Sequence, residues 1–109
     1  KKRMELVSVK NYMDEHYVEK ITLDDLEAQF FINKYYLLKI FKETYGVTIS
    51  SYLISRRITR AKQLLRFTQM TIDEVGCAVG MDGAGYFSRM FKKAEGISPK
   101  EYRKQWQQR

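Results

Sequence analysis

Asp24 and Asp25 lie together, and forty-nine residues on Asp73 and Glu74 do the same. Paired carboxylates of this sort could divide acid and base roles, as in glycoside hydrolysis. Each pair, however, follows a threonine (Thr22, Thr71) at the start of a helical pattern. There the positive end of the helix dipole favours acidic side chains, which accounts for both pairs without catalysis. His16, the only histidine, has no nucleophile or metal partner at a useful spacing and reads as a packing or surface residue. Cys77, the only cysteine, sits among Val75, Ala78 and Val79 and reads as a small buried filler. It cannot form an internal disulfide, which fits a reducing compartment. The remaining lead is GMDGAG, residues 80–85, whose three glycines could cradle a phosphate. A dinucleotide loop needs G-x-G-x-x-G after a strand, and this order is G-x-x-G-x-G after a helical segment. The Gly-Lys-Ser/Thr of a Walker loop is absent, and nothing around GMDG reads as the strands of a KH domain. Gly80 is therefore the corner of a tight turn, where positive φ favours glycine. Gly76, four residues earlier, leaves room for a close helix, and Asp82 is expected to cap a helix beginning at Gly83. No enzymatic activity and no cofactor or metal site are expected.

The elements around that turn are helical. The chain has 109 residues with one proline and six glycines, enough for one modest unit with a core. Leu6, Val9, Met13 and Tyr17 mark a first helix near 5–17. Thr22 caps a second, with Leu23, Leu26 and Phe30 on one face. Asn33 caps a third over 34–45, with Leu37, Ile40, Phe41 and Thr44 inward, Tyr35, Lys39 and Lys42 outward, and Gly46 as its terminator. Residues 49–67 form a longer helix that buries Ile54, Ile58, Ala61, Leu64 and Leu65. Arg57 lies at the edge of that arc, where a structural ion pair is expected. Ser98, Pro99 and Glu101 start a last helix as a capping box, and Trp106 is expected to anchor it.

Two stretches repeat. TIDEVGCAV follows TLDDLEAQF at an offset of forty-nine, and YFSRMFKKAEG follows YLLKIFKETYG at fifty. The one-residue difference falls in the turn and helix start. Two copies of helix, short turn and basic amphipathic helix, joined by a long helix, make seven helices in an all-α fold. The divisions are 1–47, 48–68 and 69–109. Charge follows the repeat: residues 34–66 hold eight Lys/Arg against Glu43 alone, within a net charge of +7. A positive middle suits a polyanion. The first copy departs from the second at its corner, with Phe31 in place of Gly80 and Glu27 in place of Gly76. Either the backbone there takes another path or Phe31 folds over as an apolar brace.

From Ile21 to Trp106 the chain resembles the C-terminal DNA-binding domain of the AraC/XylS family of bacterial transcription regulators. The resemblance rests chiefly on TIDEVGCAVGMDGAGYFSRMFKKAEGISPKEYR, and on YLISRRITRAKQLL as the connecting helix. It implies that two recognition helices, about 34–45 and 83–95, enter successive major-groove segments of double-stranded DNA. It also implies base-edge contacts from Tyr35, Leu38 and Lys39 in the first, and from Ala84, Gly85, Ser88 and Arg89 in the second. Position and charge assign Lys34, Lys42, Lys92 and Lys93 to phosphates. Tyr36 and Tyr86 are structural or phosphate-binding. A linker of about seventeen residues spans roughly 25 Å at about 1.5 Å per residue. The heads can then lie about one DNA turn, ~34 Å, apart, so a monomer suffices.

The resemblance and the basic KKR start lead us to expect a piece, the C-terminal part, of a longer cytoplasmic, nucleoid-associated regulator. Such a protein would work with RNA polymerase and could dimerise through another domain. No run approaches the length of a membrane span. The other class of reading is a helical protein- or RNA-interaction module using its basic face. Matched spacing of two basic helices separates them, because groove reading requires it and protein docking does not.

Overall fold

Thr22 has extended backbone, and its hydroxyl accepts the Asp25 N–H at 3.0 Å while the Asp25 carboxylate accepts the Thr22 N–H at 3.0 Å. Thr71 and Glu74 repeat this reciprocal cap, and Ser98 and Glu101 make it a third time. These local bonds satisfy amides that a helix start leaves unpaired. The computed structural model describes residues 2–83 and 85–107. Among the described residues all regular structure is helical. The elements are α1 (Lys2–His16), α2 (Leu23–Phe30), α3 (Lys34–Tyr45), α4 (Ile49–Phe67), α5 (Ile72–Ala78), α6 (Tyr86–Glu95) and α7 (Pro99–Gln107). They form two compact units that divide within α4, one through Ile54 and the other from Ser55.

In the first unit, Leu6, Val9 and Met13 of α1 meet Leu26, Ile32, Leu37, Phe41, Ile49 and Leu53 in one core, with Tyr17 half-buried against it. The inward row of α3 runs 37, 41, 45: Tyr45 packs against Phe41 with tilted rings whose centroids are 4.8 Å apart. Thr44 is exposed, contrary to the expectation that it points inward, because Tyr45 fills the last turn. Tyr52 donates its hydroxyl to Asp14, and the Lys10 ammonium lies 5.4 Å from the Tyr52 ring, tying the start of α4 to α1. Burial, more than the Asp14 contact, pushes the Tyr52 hydroxyl above its ordinary pKa.

The second unit packs Ile58, Ala61 and Leu65 of α4 with Val75, Val79, Met81, Phe87, Phe91 and Tyr102. Leu64 is half-buried, as is Ile54 at the end of the first unit. Aromatic edges continue the core, from Phe87 to Phe91 at 5.7 Å and from Phe91 to Tyr102 at 5.5 Å. Trp106 packs at its end: the Arg66 guanidinium lies 4.7 Å from the indole, and Tyr102 is 6.2 Å away. Arg103 donates through Nε to the Leu65 carbonyl at 3.0 Å, satisfying one of the carbonyls at the end of α4.

The two corners differ as their residues do. Gly80 has φ 84°. A Cβ on Gly76 would meet the Phe87 Cβ at 2.9 Å and the Met81 carbonyl at 3.1 Å, so α6 sits where only glycine admits it. At the first corner Phe31 itself takes the left-handed conformation, φ 54° and ψ 44°, and ends α2 as a glycine would. Its side chain is 94% exposed, so it is not a brace, and the backbone keeps the glycine path.

Two further expectations are corrected. The last recognition helix starts at Tyr86, not Gly83, and Gly85 rather than Asp82 is its N-cap, with no side-chain bond. Gly83 and Gly85 have φ of 114° and 75°, outside helical geometry, so the glycines extend the turn. Cys77 is exposed instead of buried. Val75 and Gly76 are buried on the inward side of α5, as is Val79 just past its end, which turns position 77 outward.

Candidate nucleic-acid interface

The start of α3 is held from two directions. The Asn33 carboxamide oxygen accepts the Tyr35 and Tyr36 N–H groups at 3.0 and 3.1 Å. The Glu27 carboxylate accepts the Lys34 N–H at 3.0 Å. The position that differs from its glycine counterpart thus fixes the aim of α3. Tyr35 (70% exposed), Leu38, Lys39 and Lys42 stand outward at helical i, i+3, i+4, i+7 spacing, forming one strip. Tyr36 is half-buried against the core. Lys34 differs from the other lysines: its ammonium is 2.6 Å from Asp24 and 5.6 Å from the Tyr35 ring centre. Asp24 holds the Lys34 pKa above the ordinary lysine value, so Lys34 stays charged while a carboxylate matches it.

In the second unit Gly85, Ser88, Arg89 and Lys92 repeat the spacing of Tyr35, Leu38, Lys39 and Lys42 at an offset of fifty. Arg89, Lys92 and Lys93 are exposed, and Ser88 and Tyr86 are half-buried. Ala84 lies outside the described residues. A Cβ built on Gly85 would come within 3.0 Å of the Arg89 Nη1, so the guanidinium lies back over the start of α6. Glu95 pairs with Lys62 at 3.1 Å, fixing the far end of α6 against α4. Arg57 is half-buried, and burial lowers its pKa against the opposing influence of Tyr86. No group of three or more His, Cys, Asp or Glu residues that could hold a metal ion occurs among the described residues. Within each unit, then, a strip of positions at helical spacing, aromatic, apolar and cationic in the first and small, polar and cationic in the second, lies on a helix whose other face is core. Such a strip suits the edges and phosphates of a nucleic-acid groove. Sequence reasoning missed the bond from Glu27 to Lys34 and the Asp24 pair. The unusual residue at 27 was visible, but no spacing rule links Asp24 to a lysine ten positions away.

This arrangement defines a double helix-turn-helix DNA-binding domain. The helix-turn-helix domain family matches residues 26–105, and the chain belongs to the AraC/XylS family of transcription regulators, whose sequence-specific DNA-binding domain it is. It is similar to the HTH-type transcriptional regulator YisR of Bacillus subtilis, 41% identical over 93 residues, covering 85% of this chain and 32% of that protein. The C-terminal domain of AraT, a response regulator from Geobacillus stearothermophilus, superposes with a TM-score of 0.89 at 30% identity, over 93% of this chain and 84% of that one. The DNA-binding domain of AdpA, solved in complex with a target DNA, shares the fold at a TM-score of 0.88 and 24% identity, over 94% and 93% of the two chains. The chain spans about a third of the length of the relatives it matches. Among the described residues no helix is long and apolar enough to cross a membrane.

Proposed function

We propose that this domain reads two successive major-groove segments of a bacterial promoter or operator, α3 entering one and α6 the other. The observation that carries this reading is the repeated outward strip, Tyr35, Leu38, Lys39 and Lys42 in one unit and Gly85, Ser88, Arg89 and Lys92 in the other. In the first head Tyr35, Leu38 and Lys39 meet base edges. In the second, Ser88 and Arg89 do so; Ala84 and Gly85 precede α6 in the sequence and offer no long side chain of their own. Lys42, Lys92 and Lys93 neutralise phosphates, with Tyr36 and Tyr86 beside them. Lys34 reaches a phosphate only by exchanging Asp24 for it. Sequence divisions at 1–47, 48–68 and 69–109 separate the heads from their linker. The domain acts by binding, without catalysis or a cofactor, as a monomer. In a regulator of its relatives' length it supplies DNA recognition in the cytoplasm and works with RNA polymerase, while another domain sets the oligomeric state.

Arginine pairs with guanine through two hydrogen bonds, worth about 1–3 kcal/mol of discrimination. Arg89→Ala should therefore relax preference at one guanine-containing step of the second segment by about 1–3 kcal/mol. Lys39→Ala should act in the first segment. Base-by-base binding profiles of wild type and both variants check this. Disturbance of the same base pairs by both would overturn the two-headed assignment.

A further inference from the structure

Gly85 occupies the position in the second head that Tyr35 occupies in the first, at the repeat offset of fifty. Tyr35 stands 70% exposed, a large side chain available for contact. Gly85 offers no side chain, yet its surroundings are not empty. A Cβ there would lie 3.0 Å from the Arg89 Nη1, closer than ordinary van der Waals contact. Gly96, at the other end of the same helix, provides a natural control. It has nearly the same backbone, φ 85° against 75°, but nothing within 4 Å of its built Cβ. Backbone conformation alone explains Gly96. At Gly85 the missing side chain is also the space into which the guanidinium folds.

We propose that Gly85 is a positioning residue, which sets the base preference of the second head by seating the Arg89 guanidinium over the start of α6. The proposal rests on Arg89 as the reader of that segment. A long, flexible arginine loses rotamer freedom when it docks, and a seat that restricts it beforehand reduces that cost. A side chain at 85 would bring its Cβ to 3.0 Å from the Arg89 Nη1, so the guanidinium would have to give way from its starting geometry. The first head has no such device: Lys39, the counterpart of Arg89, ends in a compact ammonium without a planar fork to aim.

The test uses Gly85→Asn and Gly96→Asn, because asparagine tolerates left-handed backbone better than other side chains. Both variants should lower the unfolding midpoint, since both load a side chain onto left-handed backbone. Only Gly85→Asn should weaken guanine preference at the Arg89 step, by about tenfold, approaching the Arg89→Ala profile. In an Arg89→Ala background Gly85→Asn should add nothing further at that step. Preference in the first segment should be unchanged throughout. An unaltered profile in Gly85→Asn, equal relaxation by Gly96→Asn, or a full effect of Gly85→Asn without Arg89 would each overturn the proposal. If Arg89→Ala itself leaves the profile intact, the reading beneath the proposal fails first and takes it along. Should Gly85→Asn not fold, side-chain relaxation of the wild-type domain decides. The Arg89 Nε–H order parameter should stay above about 0.6 without DNA, and a lower, freely mobile value refutes the seat.

Discussion

Phe31→Gly should make this protein more stable, although it deletes a phenyl ring. Phe31 is the one non-glycine residue with positive φ among the described residues, and the internal repeat supplies its reference, Gly80 at the same corner. A left-handed L-residue costs roughly 1–2 kcal/mol, which glycine avoids. Against this, glycine loses about 0.4–1 kcal/mol through the greater freedom of the unfolded chain. Burial adds little, because the side chain is 94% exposed. Complete burial of a phenylalanine is worth about 1.5–3 kcal/mol, so the covered remnant contributes only about 0.1–0.2 kcal/mol. The balance favours the variant by about 0.5–1 kcal/mol, or a midpoint rise of about 2–8 °C for a unit of this size. Urea and thermal unfolding of wild type and Phe31→Gly measure it directly. Gly80→Ala, which imposes the same conformation on a side chain, should shift stability the opposite way. A loss of more than about 1 kcal/mol in Phe31→Gly would refute the reasoning, since it would mean that the ring packs in solution.

Salt dependence tests the charge assignment: if about 6 phosphates are neutralised, log K should fall with log salt at a slope near −5, and a slope near zero on duplex DNA refutes it. Lys42→Glu or Lys92→Glu should weaken binding on every sequence and flatten that slope by about one unit per lost contact. Acid titration tests the helix caps. Bonds from the Thr71 backbone and hydroxyl hold the Glu74 carboxyl below its usual range, and Thr22 does the same for Asp25. A depressed folded pKa stabilises above the unfolded value and is lost as pH falls through the folded one. Glu74→Gln should therefore flatten the decline of stability at acid pH, and an unchanged pH profile in denaturant unfolding would contradict this.

Much of the fold is local and so was written in the sequence. The caps at Thr22, Asn33, Thr71 and Ser98 join residues within three positions of one another, and any chain carrying them can form them before it packs. Helical periodicity and the repeat likewise located α4 at 49–67 and the corner glycine at 80. Outward positions on α3 were legible for the same reason, because a helix with Leu37 and Phe41 inside must carry Tyr35 and Lys39 outside. Tertiary structure decided what depends on the path of the chain. Phe31 could have braced the first corner, and only the course of the backbone left its side chain in solvent. Glu27 reached the Lys34 amide, and Asp24 its ammonium, because α2 and α3 meet at that corner. Arg103 found the end of α4 from thirty-eight residues away, a distance no periodicity spans. Glycine-rich backbone gave the weakest signal of all. Gly83 and Gly85 permit both helix and turn, so packing chose where α6 begins and what lies over Gly85.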